Sequence, residues 1–385
     1  METARRLHRT SEYYFSRKLE EIRQMSANGT PVINLGIGNP DFPPPPQVVH
    51  KLTEIAVQPG VHGYQSYKGL PALREAYAAW YDQHYGVSLD AATEVVPLVG
   101  SKEGIFYLSM AYLNPGDRVL VPDVGYPAYR AVTEMVEAVP VLYDLSAATG
   151  WYPDFAALEK LDLRGVKMMW VNYPNMPSGR PATQELLEQL VAFGKEHDIL
   201  ICHDNPYSFI LNDRPLSILA VPGAGETAVE LNSLSKTYNM AGWRMGVLAG
   251  AEELVKPAFT VLSNTESGIY KPLQLAAVEA MKTPRSWLEQ QNRAYEKRRK
   301  IVYRILDTLG CRYEEGSQGL FVWASTPGGE DAFDFIDKIL QEARVFITPG
   351  GIFGENGRKY VRISLCEEEK ILEEAERRIK EKLDA

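Results

Sequence analysis

Between residues 95 and 231 the chain alternates short apolar runs with longer stretches of helical periodicity, and this alternation constrains the fold more than any other feature. Val95 to Leu98, Arg118 to Val121, Val141 to Tyr143, Lys167 to Val171, Ile199 to Cys202 and Ala228 to Leu231 read as strands. Glu103 to Leu113, Ala128 to Met135 and Thr183 to His197 carry apolar residues at helical spacing between them. Strands that are apolar throughout need cover on both faces, and a helix between two strands returns the chain so that they run parallel. The pattern predicts an α/β unit with a largely parallel sheet.

The two ends of the chain differ from this middle. The first 45 residues read as an arm: a helical stretch around Tyr13 to Met25, the segment Val32 to Pro40, and a proline run from Pro43 to Pro46 that can continue neither a helix nor a central strand. From about Pro284 a long charged helix runs to Asp307. It is followed by Gly319-Leu320-Phe321-Val322-Trp323, a helix at Ala332 to Glu342, a strand at Tyr360 to Leu365 and a terminal helix. The expected division is a large domain over 46–283 and a smaller α+β domain built from 1–45 and 284–385.

Composition removes several function classes. Fifty acidic residues against 41 basic give a net charge of -9, and the only compact basic run, Lys297-Arg298-Arg299-Lys300, reads as a solvated helix face, so no nucleic-acid footprint is expected. Three cysteines, Cys202, Cys311 and Cys366, are too scattered for a disulfide framework or a metal knuckle, and no metal is expected. No run approaches the roughly 18 apolar residues of a membrane span, and no apolar leader follows Met1, which makes the cytoplasm the expected location.

Ser233-Leu234-Ser235-Lys236-Thr237-Tyr238-Asn239-Met240-Ala241-Gly242-Trp243-Arg244 sets one lysine among hydroxyl residues, with an arginine eight positions on. A lysine amine can form a Schiff base with the aldehyde of pyridoxal phosphate, and hydroxyls with a guanidinium can hold its phosphate. Val99-Gly100-Ser101-Lys102-Glu103 follows a strand and opens a helix, a natural anion site, although Gly-Ser is also a common strand-to-helix turn with Ser101 as cap. Asp204 lies just past Ile199 to His203, where the carboxyl end of a buried strand meets the ligand crevice of an open sheet. A carboxylate there suits a protonated pyridine nitrogen, and the phenol of Tyr207, three residues on, suits the ring hydroxyl. His203 reads as a packed core histidine. In Asp123-Val124-Gly125-Tyr126-Pro127-Ala128-Tyr129 two tyrosines compete to stack on a flat ring. Arg362, inside the alternating strand Lys359 to Leu365, would want a planar anion such as a carboxylate.

In this order the tracts resemble the class I/II aminotransferases, the fold type I pyridoxal phosphate enzymes, from about Tyr13 to Ile379. The resemblance also rests on Asn34-Leu35-Gly36-Ile37-Gly38-Asn39-Pro40-Asp41, on His62-Gly63-Tyr64 leading to Gly69-Leu70-Pro71-Ala72-Leu73-Arg74, and on Tyr173-Pro174-Asn175-Met176-Pro177-Ser178-Gly179. It implies a fold type I transferase that carries pyridoxal 5'-phosphate on Lys236, with Asp204 as pyridinium partner and Tyr207 as donor to the ring oxygen. Ser101 and Lys102, Ser233 and Arg244 would bind phosphate, and Tyr126 would stack on the ring. Gly38 and Arg362 would hold the α-carboxylate, with Tyr13 also at the substrate. Tyr64 would reach the neighbouring subunit's cofactor in a homodimer.

The family's usual Asn-Pro-Thr-Gly is Met176-Pro177-Ser178-Gly179 here, and methionine cannot donate to the ring oxygen. Either Tyr207 carries that contact alone or Asn175 partly substitutes. The departure keeps a C–S β-lyase of the same fold as an alternative to transamination. A non-catalytic regulatory protein on this fold is a third reading, set against the presence of Lys236. Tyr13-Tyr14-Phe15 and Pro349-Gly350-Gly351-Ile352-Phe353-Gly354 are reminiscent of the branch with LL-diaminopimelate, aspartate and alanine aminotransferases.

Overall fold

A computed structural model describes the chain apart from Thr10, Ser11, Tyr13, Asn28, Thr30, Asp384 and Ala385. The arm forms the helix Tyr14–Ala27 and a short strand, β1 (Ile33–Asn34). The proline run ends with Pro46 at the first position of the helix Pro46–Ala56, where a missing N–H leaves no helical bond unmade. The next helix, Pro71–Tyr85, opens the same way and closes on Gly86 in the left-handed conformation at φ 67°.

Seven strands form the main sheet: β2 (Val95–Leu98), β3 (Arg118–Asp123), β4 (Val139–Asp144), β5 (Val166–Val171), β6 (Leu200–Asp204), β7 (Ala228–Ser233) and β8 (Gly246–Gly250). Their spatial order is β2-β8-β7-β6-β5-β3-β4. Strands β3 to β7 pair in parallel, and β8 runs antiparallel between β7 and β2. Every residue of β6 and β7 is buried, which explains their continuous apolar runs. The crossover helix Gln184–His197 is capped where Thr183 Oγ1 accepts the Leu186 N–H at 3.1 Å, a contact worth about 1 kcal/mol. It leads into β6 and so sets where Asp204 emerges.

The C-terminal third supplies β9 (Arg312–Tyr313), β10 (Phe321–Ser325), β11 (Val345–Phe346), β12 (Thr348–Pro349) and β13 (Tyr360–Ser364), and all but β11 form a second, antiparallel sheet in the order β12-β13-β10-β9. Strand β11 pairs in parallel with β1, which ties the arm to this part of the chain. The helix Arg285–Thr308 buries Leu288, Tyr295, Arg298, Ile301, Val302, Ile305 and Leu306, one stripe at three- and four-residue spacing.

That stripe corrects the reading of the basic run. Lys297 and Lys300 are exposed, but Arg298 is 3% exposed and grips Asp41 through two hydrogen bonds of 2.6 and 2.7 Å, with its guanidinium 4.2 Å from the Phe42 ring. Arg299 donates to the Ser317 carbonyl at 2.6 Å. The long helix thus clamps the segment that carries Gly38. Among the described residues no helix is long and apolar enough to cross a membrane.

Candidate active site

The carboxyl ends of β5, β6 and β7, the Gly100 turn, the Gly38 segment and strand β13 surround a cavity of about 340 Å³. Gly38, Ser101, Lys102, Tyr126, Asp204, Tyr207, Ser233, Lys236, Arg244 and Arg362 all line it. Of the other sequence-derived candidates, Tyr64 is 93% exposed and does not line the cavity, and Tyr13 is outside the described residues.

Strand β7 delivers Ser233, whose hydroxyl accepts the Ser235 N–H and caps the single helical turn Leu234–Thr237. That turn presents Lys236, whose Nζ donates to the Gly38 carbonyl at 2.6 Å. Burial lowers the Lys236 pKa; the Cys366 thiol opposes this, and Arg244 and Arg362 add to it. The amine is therefore easier to deprotonate than an exposed lysine, as a nucleophile toward an aldehyde needs to be.

The anion end is built from backbone as much as from side chains. Gly100 has φ 86°, and a Cβ there would lie 2.1 Å from Arg244 Nη2, so glycine is needed for conformation and for space. A Cβ on Gly246 would lie 2.7 Å from the Ser101 nitrogen, so the first residue of β8 also admits the turn closely. The helix Ser101–Tyr112 begins here with Gly100, not Ser101, at its cap, and its first residues, Ser101 and Lys102, belong to the cavity wall. Arg244 donates to the Ala241 carbonyl at 3.0 Å, which points its guanidinium across the same turn.

Asp204 carries the clearest sign of a missing partner. It is 6% exposed; Oδ2 accepts from the Tyr129 hydroxyl at 2.8 Å, while Oδ1 is buried with no partner among the described residues, and the residue lines the cavity. Burial pushes its carboxyl up to about 6, offset in part by the Tyr129 bond. A half-satisfied buried carboxylate is costly and suits a ligand N–H. The two competing tyrosines divide the work. Both line the cavity, but Tyr129 is fully buried, stacks on Trp170 at 5.0 Å and spends its hydroxyl on Asp204, whereas Tyr126 is only partly buried.

Asn172, absent from the sequence-derived candidates, donates to the Asp204 carbonyl at 2.6 Å and accepts the Met176 N–H at 2.8 Å. Its signal was its place one residue beyond β5, beside the end of β6, where adjacent parallel strands converge. Asn175 is spent on the turn, donating to the Asn172 carbonyl and accepting from the Ser178 N–H and hydroxyl. It does not line the cavity, and Met176 does.

At the opposite end Arg362 is 4% exposed, donates to the Gly36 carbonyl at 2.6 Å and has Nη1 3.1 Å from Met176 Sδ. Its guanidinium carbon lies 3.8 Å from the Phe321 ring and 4.7 Å from that of Phe353. A Cβ on Gly38 would fall 2.2 Å from Phe321 Cζ, so the chain passes too close here for any side chain. The Asp204 oxygen with no partner among the described residues, the Gly100 cradle and the buried lysine that line one cavity fit pyridoxal phosphate in charge and donor type.

Comparison with known proteins agrees with this geometry. Residues 30–379 match the family model for aminotransferase class I and II. The LL-diaminopimelate aminotransferase of Moorella thermoacetica is 39% identical over 382 residues, covering 99% of this chain and 98% of that one. The enzyme of the same name from Desulforudis audaxviator is 41% identical over 364 residues, covering 94% and 93%. Among solved structures, substrate-bound BacF from Bacillus subtilis superposes with a TM-score of 0.93 at 36% identity over 99% of this chain and 98% of that one. Aspartate aminotransferase from Thermotoga maritima gives 0.91 at 27% identity, with 100% of each chain covered. These relatives favour transamination over the β-lyase alternative. The chain belongs to the class I and II aminotransferases, with the fold type I architecture, and is a pyridoxal phosphate-dependent aminotransferase.

Proposed function

We propose that this aminotransferase takes the amino group of LL-diaminopimelate, or of a similarly long amino acid with a charged far end, and passes it to a 2-oxo acid in a ping-pong cycle. The observation that carries the site assignment is the buried Asp204 Oδ1, which lacks a partner among the described residues and belongs to a residue lining the cavity with Lys236. The relatives' name supplies the substrate class. A second cavity of about 680 Å³ shares Lys102, Tyr126 and Phe353 with the first and adds Glu12, Arg130 and Glu134, which gives length and both charge signs for a distal group.

When bound, pyridoxal phosphate supplies an electrophilic carbon for the amine and an electron sink for charge that develops at the substrate Cα. The chain supplies the rest. Lys236 would hold the cofactor through its Nζ and, as a free amine, would take the proton from the substrate Cα and release it to the cofactor carbon two bonds away. Asp204 accepts the ring N–H, and Tyr207 donates to the ring oxygen without help from position 176. Ser101 and Lys102 backbone N–H groups, Ser233 and Arg244 hold the phosphate, and Tyr126 stacks on the ring. Arg362, Gly38 and Tyr13 position the substrate carboxylate end. Tyr64 completes the phosphate site of a second copy, so the working form is a homodimer in the cytoplasm, with residues 46–283 as the large domain and 1–45 with 284–385 as the small one.

The half-reaction tests this reading. The purified holoenzyme is mixed with single amino acids and no acceptor while its visible absorbance is followed. LL-diaminopimelate is expected to convert the band to that of the amine form, and a 2-oxo acid to restore it. Pyruvate and ammonia released from cystathionine, with no such conversion, would instead support lyase chemistry.

A further inference from the structure

One buried pair of ionisable side chains lies directly behind the cavity. His203 and Glu230 are both 0% exposed and are register partners on β6 and β7, so their side chains rise on the same face of the sheet. Asp204, the next residue, points to the other face and lines the cavity. His203 Nε2 lies 2.9 Å from the Tyr173 carbonyl oxygen, which only accepts, so Nε2 carries a proton. Nδ1 lies 3.0 Å from Glu230 Oε2. That oxygen also accepts from the Ser217 hydroxyl at 2.8 Å and the Ile218 N–H at 3.2 Å, while Oε1 accepts from the Tyr81 hydroxyl at 3.0 Å. A neutral pair would need the proton on Oε2, which already takes two donors, so these contacts suit an ionised carboxylate with Nδ1–H as the third donor. The contacts are those of an imidazolium beside a carboxylate, held by Tyr173, Tyr81, Ser217 and the Ile218 N–H.

We propose that the His203–Glu230 pair is a positioning and charge-setting support for Asp204. Its positive end is one residue from Asp204 and its negative end is on the next strand, so it holds the carboxylate ionised and keeps the shared proton on the cofactor's ring nitrogen. This rests on the role proposed above for Asp204. Of the two influences on Asp204, the lowering effect of His203 exceeds the raising effect of Glu230. His203 also binds the backbone of Tyr173, the residue after Asn172, so one imidazole braces both strand ends that meet at the Asp204 carbonyl.

The test uses holoenzyme carrying ¹⁵N-histidine and pyridoxal phosphate labelled with ¹⁵N in the ring, read by NMR at neutral pH. In the unmodified protein both His203 nitrogens are expected to read as protonated. His203→Gln keeps a donor for Tyr173 but no charge, and is expected to lower the ratio of protonated to neutral ring nitrogen about tenfold, the effect of one nearby charge. Glu230→Gln is expected to act in the same direction, and the double variant to add little. A neutral His203 imidazole in the unmodified protein overturns the inference even if neither variant folds. An unchanged ring signal in His203→Gln overturns it as well. Asp204→Asn separates the two levels: if it leaves the ring nitrogen signal unchanged, the role of Asp204 itself fails; if it moves that signal and His203→Gln does not, only the inference about the pair fails.

Discussion

In the cofactor-free protein, Asp204→Asn is expected to shift the pH dependence of stability in a direction opposite to its effect on function. Burial pushes the Asp204 carboxyl from 3.8 to about 6, so the folded chain binds that proton more tightly than the unfolded chain does. The stability linked to this group is full below the unfolded value and is lost as pH rises through about 6. A shift of about two units corresponds to roughly 3 kcal/mol. The asparagine variant keeps an acceptor for the Tyr129 hydroxyl and has no proton to lose. Its unfolding free energy relative to the parent should therefore move in its favour by about 3 kcal/mol between about pH 4 and pH 8, and constant costs of the amide cancel in that difference. Denaturant unfolding of both apo proteins at one fixed concentration reads this directly. Cofactor affinity should move the other way, falling roughly ten- to a hundredfold with the loss of a charge-assisted hydrogen bond. A flat difference across that pH range, or a variant that loses ground as pH rises, refutes the assignment of a buried, half-satisfied carboxylate at position 204.

Three other substitutions test separate parts of the account. Gly100→Ala places a Cβ 2.1 Å from Arg244 Nη2 at a backbone φ of 86°; equilibrium dialysis should show pyridoxal phosphate binding weakened at least about tenfold, with about 1–2 kcal/mol lost in stability. Arg298→Met leaves Asp41 without its bidentate partner and should cost about 3 kcal/mol in chemical denaturation, with a raised KM because Gly38 sits on the clamped segment. Tyr129→Phe removes the hydroxyl bond to Asp204 and should push that carboxyl still higher, seen as a cofactor-free stability profile displaced to higher pH by about one unit.

The parts of the site that lie within one element were legible in the sequence. The Ser233 to Arg244 tract names its own lysine and arginine, and Asp204 follows from where a buried strand must end. What occupies Tyr129, its stacking on Trp170 and its bond to Asp204, depends on two other strands, which a single tract does not contain. Strand β8 escaped because Gly246-Val247-Leu248-Ala249-Gly250 has glycine at both ends, and those glycines answer to the Gly100 turn and to β7, not to strand propensity. Arg298 read as solvated because its partner, Asp41, is 257 positions away. The surroundings of Arg362 were hidden in the same way, since Met176, beside its Nη1, is 186 positions away and Phe321 lies on another strand.

The central claim is that Lys236 holds the cofactor, and the cavity contains a competitor for that role, since Lys102 also lines it and burial lowers its pKa too. Borohydride reduction of the holoenzyme, followed by digestion and mass spectrometry, distinguishes the two. The account predicts one pyridoxyl group per chain, on Lys236. A label on Lys102, or none on either lysine, contradicts it.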